Sequence, residues 1–155
     1  MANFTMLTSL LGSDREHGTY KTPLFYAFKS FSNNCRGNSI DTYVECDTFN
    51  TQKFNGIPYL DVTSVYSKES ETVFINVVNR HKDDAIATDI LTSTGQFKGK
   101  AMSTTITANS LETPFTYDKR DQYIPGSEEV STKGNKITVS FPPHSFTQIR
   151  VGMDD

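Results

Sequence analysis

At 155 residues and 35% hydrophobic content, the chain has the length of one domain and enough apolar material to build a core without metals or disulfides. Its 18 acidic and 15 basic residues are spread without blocks and give a formal charge of −3, so it lacks the basic patch of a nucleic-acid binder. No run has the length or apolarity of a membrane-spanning helix, and two cysteines, Cys35 and Cys46, exclude a disulfide framework or a four-thiolate metal site.

In chain order, Phe4, Leu7 and Leu11 fall on one helical face that Leu10 widens, and Gly12 and Ser13 end it. The run has no N-cap and reads as the tail of a longer helix. Met1 to Leu11 has neither the basic region nor the apolar core of a secretion signal, and nothing fixes a compartment. Ser13 to Lys21 reads as a charged, exposed link. Thr22-Pro23 then starts a short helix, with a hydroxyl to cap orphan amides and proline at the first position. Leu24, Phe28 and Phe31 follow at helical spacing beside Phe25, a pattern that favours packing over ligand stacking.

Beyond the turn cluster Asn33 to Asn38, Ser39 to Cys46 alternates as a half-exposed strand. Ile57 to Ile90 then carries three β-type runs that could pair as a meander. In the first, Leu60, Val62, Ser64 and Tyr66 share a face. In the second, Val73 to Val78 is apolar on both sides, as in a central strand. Lys98 to Thr107 is a further candidate. Leu111 to Lys133 has no periodicity and reads as a long loop. Asn135 to Phe141 and Phe146 to Val151 alternate again around the rigid corner Pro142-Pro143-His144-Ser145. The result is about seven strands with short connections, the pattern of an all-β antiparallel sandwich preceded by one or two short helices.

Chemistry is scarce along this chain. The segment Gly95-Gln-Phe-Lys-Gly99-Lys100 has the wrong spacing for a phosphate loop and fits a hairpin turn better. His17, His81 and His144 are too scattered for a metal site, and structural hydrogen bonding is the expected role of the last two. The acidic pairs Asp83-Asp84, Glu128-Glu129 and Asp118 with Asp121 fall in loops, where solvated surface is the usual fate. A glycosidase needs two carboxyls facing across a bond. The sequence therefore nominates no catalytic residue, no metal ligand and no cofactor, and assigns no substrate-binding residue.

Three blocks nevertheless resemble a known family: Ile57-Pro-Tyr-Leu-Asp-Val, Val77-Val-Asn-Arg-His81 and Phe141-Pro-Pro-His-Ser145 are similar to the C-terminal domain of family-51 α-L-arabinofuranosidases. Met1-Ala-Asn-Phe, Thr22-Pro-Leu-Phe-Tyr-Ala-Phe-Lys and Asn109-Ser-Leu-Glu-Thr-Pro114 resemble further family segments, in the family's order. The resemblance implies a jelly-roll-like sandwich that follows a catalytic (β/α)-barrel and packs on it. That barrel removes terminal arabinofuranosyl groups from arabinan and arabinoxylan with two glutamates. Neither glutamate motif matches Glu45, Glu69, Glu71, Glu112 or any other carboxylate here, so this chain alone is expected to be inactive.

The division implied is 1–34, the end of the last barrel helix with the aromatic connecting helix, and 35–155, the sandwich. The implied partners are the catalytic barrel and, since members are often homo-oligomeric, further copies; nucleic acid and membranes are not expected. A sheet edge left open for a strand from the enzyme's N-terminus is also implied. The rival reading is a carbohydrate-binding module, for which Tyr43, Tyr66, Phe74, Tyr117 and Tyr123 would supply stacking rings without any tryptophan.

Overall fold

The computed structural model describes residues 10–154. Its opening is a small antiparallel hairpin, β1 (Leu11–Asp14) and β2 (Gly18–Lys21), where the sequence reads as a helix end and an exposed link. The rest of that expected first helix lies outside the described residues. α1 (Pro23–Asn34) follows as expected, with proline in its first turn. The Thr22 hydroxyl does not cap it, because it donates to the Leu10 carbonyl at 3.1 Å instead.

The body is one eight-stranded antiparallel sheet. Its strands are β3 (Asn38–Ile40), β6 (Leu60–Ser67), β7 (Thr72–Asn79), β8 (Ile86–Leu91), β9 (Gln96–Ile106), β10 (Gly126–Lys133), β11 (Lys136–Phe141) and β12 (Ser145–Asp154). A small side hairpin joins β4 (Thr48–Phe49) to β5 (Ile57–Pro58), and a 3₁₀ segment covers Tyr117–Tyr123. The strand order is β3-β6-β7-β12-β9-β10-β11-β8. Curling of this sheet brings the β11–β8 arm over β7, β12 and β9, and the two layers enclose the core. Phe141, Ile137, Ile149, Val77 and Val151 are its largest fully buried apolar side chains. This is the expected all-β sandwich, made from a single sheet.

Local patterns explain most of the ladder. In β6, Leu60, Val62 and Tyr66 face the core as their spacing requires. β7 is buried on both sides: Val73, Ile75 and Val77 point into the core, while on the other face Phe74 is buried and Asn76 meets Cys35 at the C-cap of α1. In β12, Thr147, Ile149 and Val151 are buried, and Phe146 and Gln148 on the other face meet α1.

Four expectations change. The third run, β8, leaves its neighbour and pairs with β11, because residues 80–85 form a fastened loop that carries the chain to the other arm. The strand expected over Ser39 to Cys46 keeps only β3 in the ladder; residues 41–47 run alongside, with Val44 and Cys46 against the core. Within the supposed long loop, β10 pairs with β9 over Gly126 to Ser131. Its sequence has one apolar residue, Val130, so no alternation announced it. Finally, Gly95 turns between two arms rather than within a hairpin. Gly99, at φ +68°, makes a bulge where β9 runs past β12.

Two details matter for function. Among the described residues the sheet does not close, since β3 and β8 are edges and the six residues of β8 have no outer partner. Moreover, β10 and β11 share only two register pairs, Thr132↔Ile137 and Lys133↔Lys136, and then diverge. The core makes a direct prediction: Phe141→Ala, at 1% exposure, will cost about 3–5 kcal/mol. Leu91→Ala, at 65% exposure, will stay within about 0.5 kcal/mol. Urea denaturation of both variants checks the contrast.

Candidate functional site

Three of the sequence blocks meet at one end of the sheet, around Asn79. In register, Asn79 lies opposite both Leu60 of β6 and Ser145 of β12. Its side chain is 1% exposed, and its amide nitrogen lies 3.0 Å from the Phe141 carbonyl, 2.9 Å from that of Pro142 and 3.1 Å from that of Asp84. Its oxygen accepts the His81 N–H at 2.9 Å. Two amide hydrogens serve three carbonyls, so one bond is shared. Ser145 Oγ adds a bond to the Pro142 carbonyl at 2.7 Å.

Both candidate histidines belong to this fastening. His81 Nδ1 accepts the Asp84 N–H at 2.8 Å, which places the ring proton on Nε2, 3.4 Å from the Asp84 carboxylate. Its ring lies 4.5 Å from Tyr59, which stacks on Phe49 at 4.9 Å. Arg80 ties back to the Pro58 carbonyl at 3.1 Å and to the Asp61 carboxylate. His144 holds φ +39° and donates its backbone N–H to His81 O at 2.8 Å. Its ring nitrogens lie 2.8 Å from the carbonyls of Lys82 and Ala108. A neutral imidazole donates to one of these at a time. His17 stands apart, stacked on Tyr117 at 4.7 Å. These groups join loops; no nucleophile stands beside a base here.

The acidic pairs separate. Glu128 and Glu129 are on strand β10, not in a loop, and neighbours on a strand point to opposite faces. Glu129 pairs with Lys100, Asp83 with Lys82, and Asp84 with His81. Asp89 pairs with Lys136 at 2.7 Å, and that hydrogen bond, helped by Thr138, holds its carboxyl below the usual range. Among the described residues no group of three His, Cys, Asp or Glu side chains could hold a metal ion. The rings considered for sugar stacking scatter too. Phe74 and Tyr123 are buried, Tyr66 packs on the core and Tyr117 is sandwiched by His17 and Arg120, so Tyr43, at 88% exposure, stands alone.

A polar seat beneath α1 was hard to foresee from residue types alone. Asn34 Nδ2 donates to Gln148 Oε1 at 2.6 Å, and Gln148 Nε2 donates to Asn76 Oδ1 at 2.7 Å. Asn76 Nδ2 reaches Cys35 Sγ at 3.3 Å and Thr63 Oγ1 at 3.4 Å. The available signal was a polar residue interrupting each of two apolar strands, Asn76 and Gln148. Cys35 and Cys46 are both free thiols, and burial pushes the Cys35 thiol above its usual pKa.

A cleft of about 490 Å³ opens where β10 and β11 part, bounded by Thr105, Asn109, Gln122, Glu128 and Ser140.

Residues 2–145 match the family described as "Alpha-L-arabinofuranosidase C-terminal domain". The chain is 29% identical over 136 residues to the intracellular exo-α-(1→5)-L-arabinofuranosidase 1 of Bacillus subtilis; the match covers 85% of this chain and 26% of that protein. Among solved structures, the α-L-arabinofuranosidase of Thermotoga maritima in its arabinose complex aligns with TM-score 0.77 and 26% identity, over 91% of this chain and 31% of that one. The family-51 enzyme of Thermotoga petrophila gives 0.74 and 28%, over 86% and 30%. The chain thus spans about a quarter to a third of the length of these relatives.

Asn79→Ala will strand carbonyls that its amide now satisfies, at about 1–3 kcal/mol for each group left buried. Asn79→Asp will cost more at neutral pH, because a carboxylate offers no donor and faces three carbonyl oxygens. Chemical denaturation that ranked the two variants in reverse would remove the donor argument. With its pKa raised, Cys35 will alkylate more slowly at mildly alkaline pH in the folded chain than in urea, as mass spectrometry of iodoacetamide-treated protein will show.

Proposed function

Because the chain belongs to the α-L-arabinofuranosidase C-terminal domain family, we propose that it acts as the accessory sandwich of a larger glycoside hydrolase, packed against a catalytic barrel by α1. The carrying observation is the helix itself. None of the twelve residues of α1 is buried, although it presents Leu24, Phe25, Phe28 and Phe31. Leu24 is 39% exposed and Phe31 41%, with the Phe31 ring 5.5 Å from that of Phe146 on the sheet.

A short helix with this much apolar surface is stabilised chiefly by what it packs on. The sheet supplies only part of that cover. In this reading residues 1–34 connect barrel to sandwich and residues 35–155 form the sandwich proper. The activity on terminal arabinofuranosyl groups belongs to the barrel. The unpaired edge of β8 is the proposed seat for a strand from elsewhere in the enzyme, and assembly into homo-oligomers would build on the same surfaces.

The carboxylates described above are engaged with lysine, arginine or histidine, or stand on separate faces, which supports the assignment of chemistry to the barrel. Two measurements test the reading. The purified chain is expected to release no arabinose from aryl or oligomeric arabinofuranosides, and turnover lost on mutating one of its own carboxylates would overturn it. In sedimentation velocity, the chain should self-associate through α1, and Leu24→Asp, at a side chain 39% exposed, should shift it toward monomer with little change in melting temperature. A wild-type monomer at every soluble concentration would argue that α1 is not an interface for another body.

A further inference from the structure

We infer that the cleft between β10 and β11 is a binding site for a short neutral saccharide. Its origin is the topology. After the two shared register pairs, β10 stays with β9 from Gly126 to Ser131, and β11 stays with β8 from Thr138 to Phe141. The strand edges that turn away from β9 and β8 therefore have no ladder partner along this stretch. They offer alternating N–H and C=O groups, which suit hydroxyls because a hydroxyl both donates and accepts.

The far end is bounded by the segment from Asn109 to Ile124, which contributes Asn109, Thr113, Gln122 and Ile124 to the lining. Tyr123 is buried and its hydroxyl donates to the Thr113 carbonyl, while Gln122 Nε2 donates to the Pro114 carbonyl. These bonds tie the two ends of the segment to each other and give it a defined shape beside the cleft. The volume of about 490 Å³ falls within the roughly 300–1,000 Å³ of small-ligand sites.

The side chains select the ligand class. Asn109, Glu128 and Ser140 line the cleft and make no side-chain hydrogen bond or ion pair among the described residues. Gln122 keeps its carbonyl oxygen free of the bond made by its nitrogen. No lysine or arginine lines the cleft, and Glu128 is its one charged group, which excludes phosphates and uronates. Ile124, 56% exposed, sits with Ala108 and Pro142 as an apolar ledge suited to the C–H face of a sugar ring. An extended peptide fits less well, because the bounded far end limits continuation of a strand and no row of alternate side-chain pockets is present. With no aromatic ring in the lining, binding rests on hydrogen bonds and will be weak.

The test is an amide-resolved NMR titration of the full chain with arabinobiose and, separately, cellobiose. Saturable shifts confined to residues 105–109, 122–128 and 140 with either sugar are expected. Glu128→Gln, which keeps the shape but loses the charge-assisted acceptor, should weaken binding about five-fold or more at unchanged melting temperature. No saturable shift with either disaccharide, shifts centred elsewhere, such as around Tyr43, or tighter binding of galacturonate or of an extended hexapeptide would overturn the inference. Such a failure leaves the barrel-packing role intact, since that role is read from α1 and tested by sedimentation.

Discussion

Everything at the loop-rich end of the sandwich depends on one buried carboxamide. Asn79 joins the end of β7 to the end of β11, which is remote in sequence and has no ladder with β7, and also to the turn before β8. The Asn79 side chain is buried, and its bond to the Phe141 carbonyl is made away from water, where an unmet carbonyl is expensive and a met one fixes position. The chain must do two awkward things at this point: leave β7 for the opposite arm, and reverse from β11 into β12 through two prolines. Asn79 constrains both, and His144, in a left-handed backbone conformation, completes the closure by bonding back to His81.

What could be read in the sequence follows from this division. Strands whose apolar residues alternate, or fill both faces, were visible because a buried surface leaves a period: β6, β7, β11 and β12 lie where that period put them. β10 was hidden because Gly-Ser-Glu-Glu-Val-Ser-Thr-Lys exposes nearly everything and owes its form to β9. The path of β8 was hidden for another reason. Alternation reports which face is buried and not which strand lies alongside, so Ile86 to Leu91 suited β7 as well as β11. The candidate sites were legible only as residue types. Nothing in the spacing of His81 and His144 tells that they share a bond, and the seat of Asn34, Gln148 and Asn76 draws on three separate elements.

That seat and the helix above it divide their work. The polar contacts hold the C-terminal turn of α1 on β7 and β12 with fixed geometry, since amide bonds have direction and register. Toward its N-terminus the helix presents aromatic and aliphatic surface, which tolerates variation in what it meets. An element locked at one end and apolar at the other is suited to carrying a neighbouring body in a defined orientation. The cleft at the split of β10 and β11 is separate in origin. It arises where the sheet splits between β10 and β11 as it curls into two layers.

The position of β12 has a consequence for how the protein is made. This strand is the last described in chain order, yet it lies in the middle of the sheet, paired with β7 on one side and β9 on the other. During synthesis the β6–β7 hairpin can form early, from neighbouring residues. The partners β7 and β9 then wait, with Val73, Ile75, Val77 and Phe97 uncovered, until residues 145–154 have left the ribosome. Most of the domain therefore completes its fold only after β12 has emerged. In that interval the nascent chain offers unpaired strand edges to any other chain nearby, and slower translation ahead of β12 would lengthen its need for a chaperone.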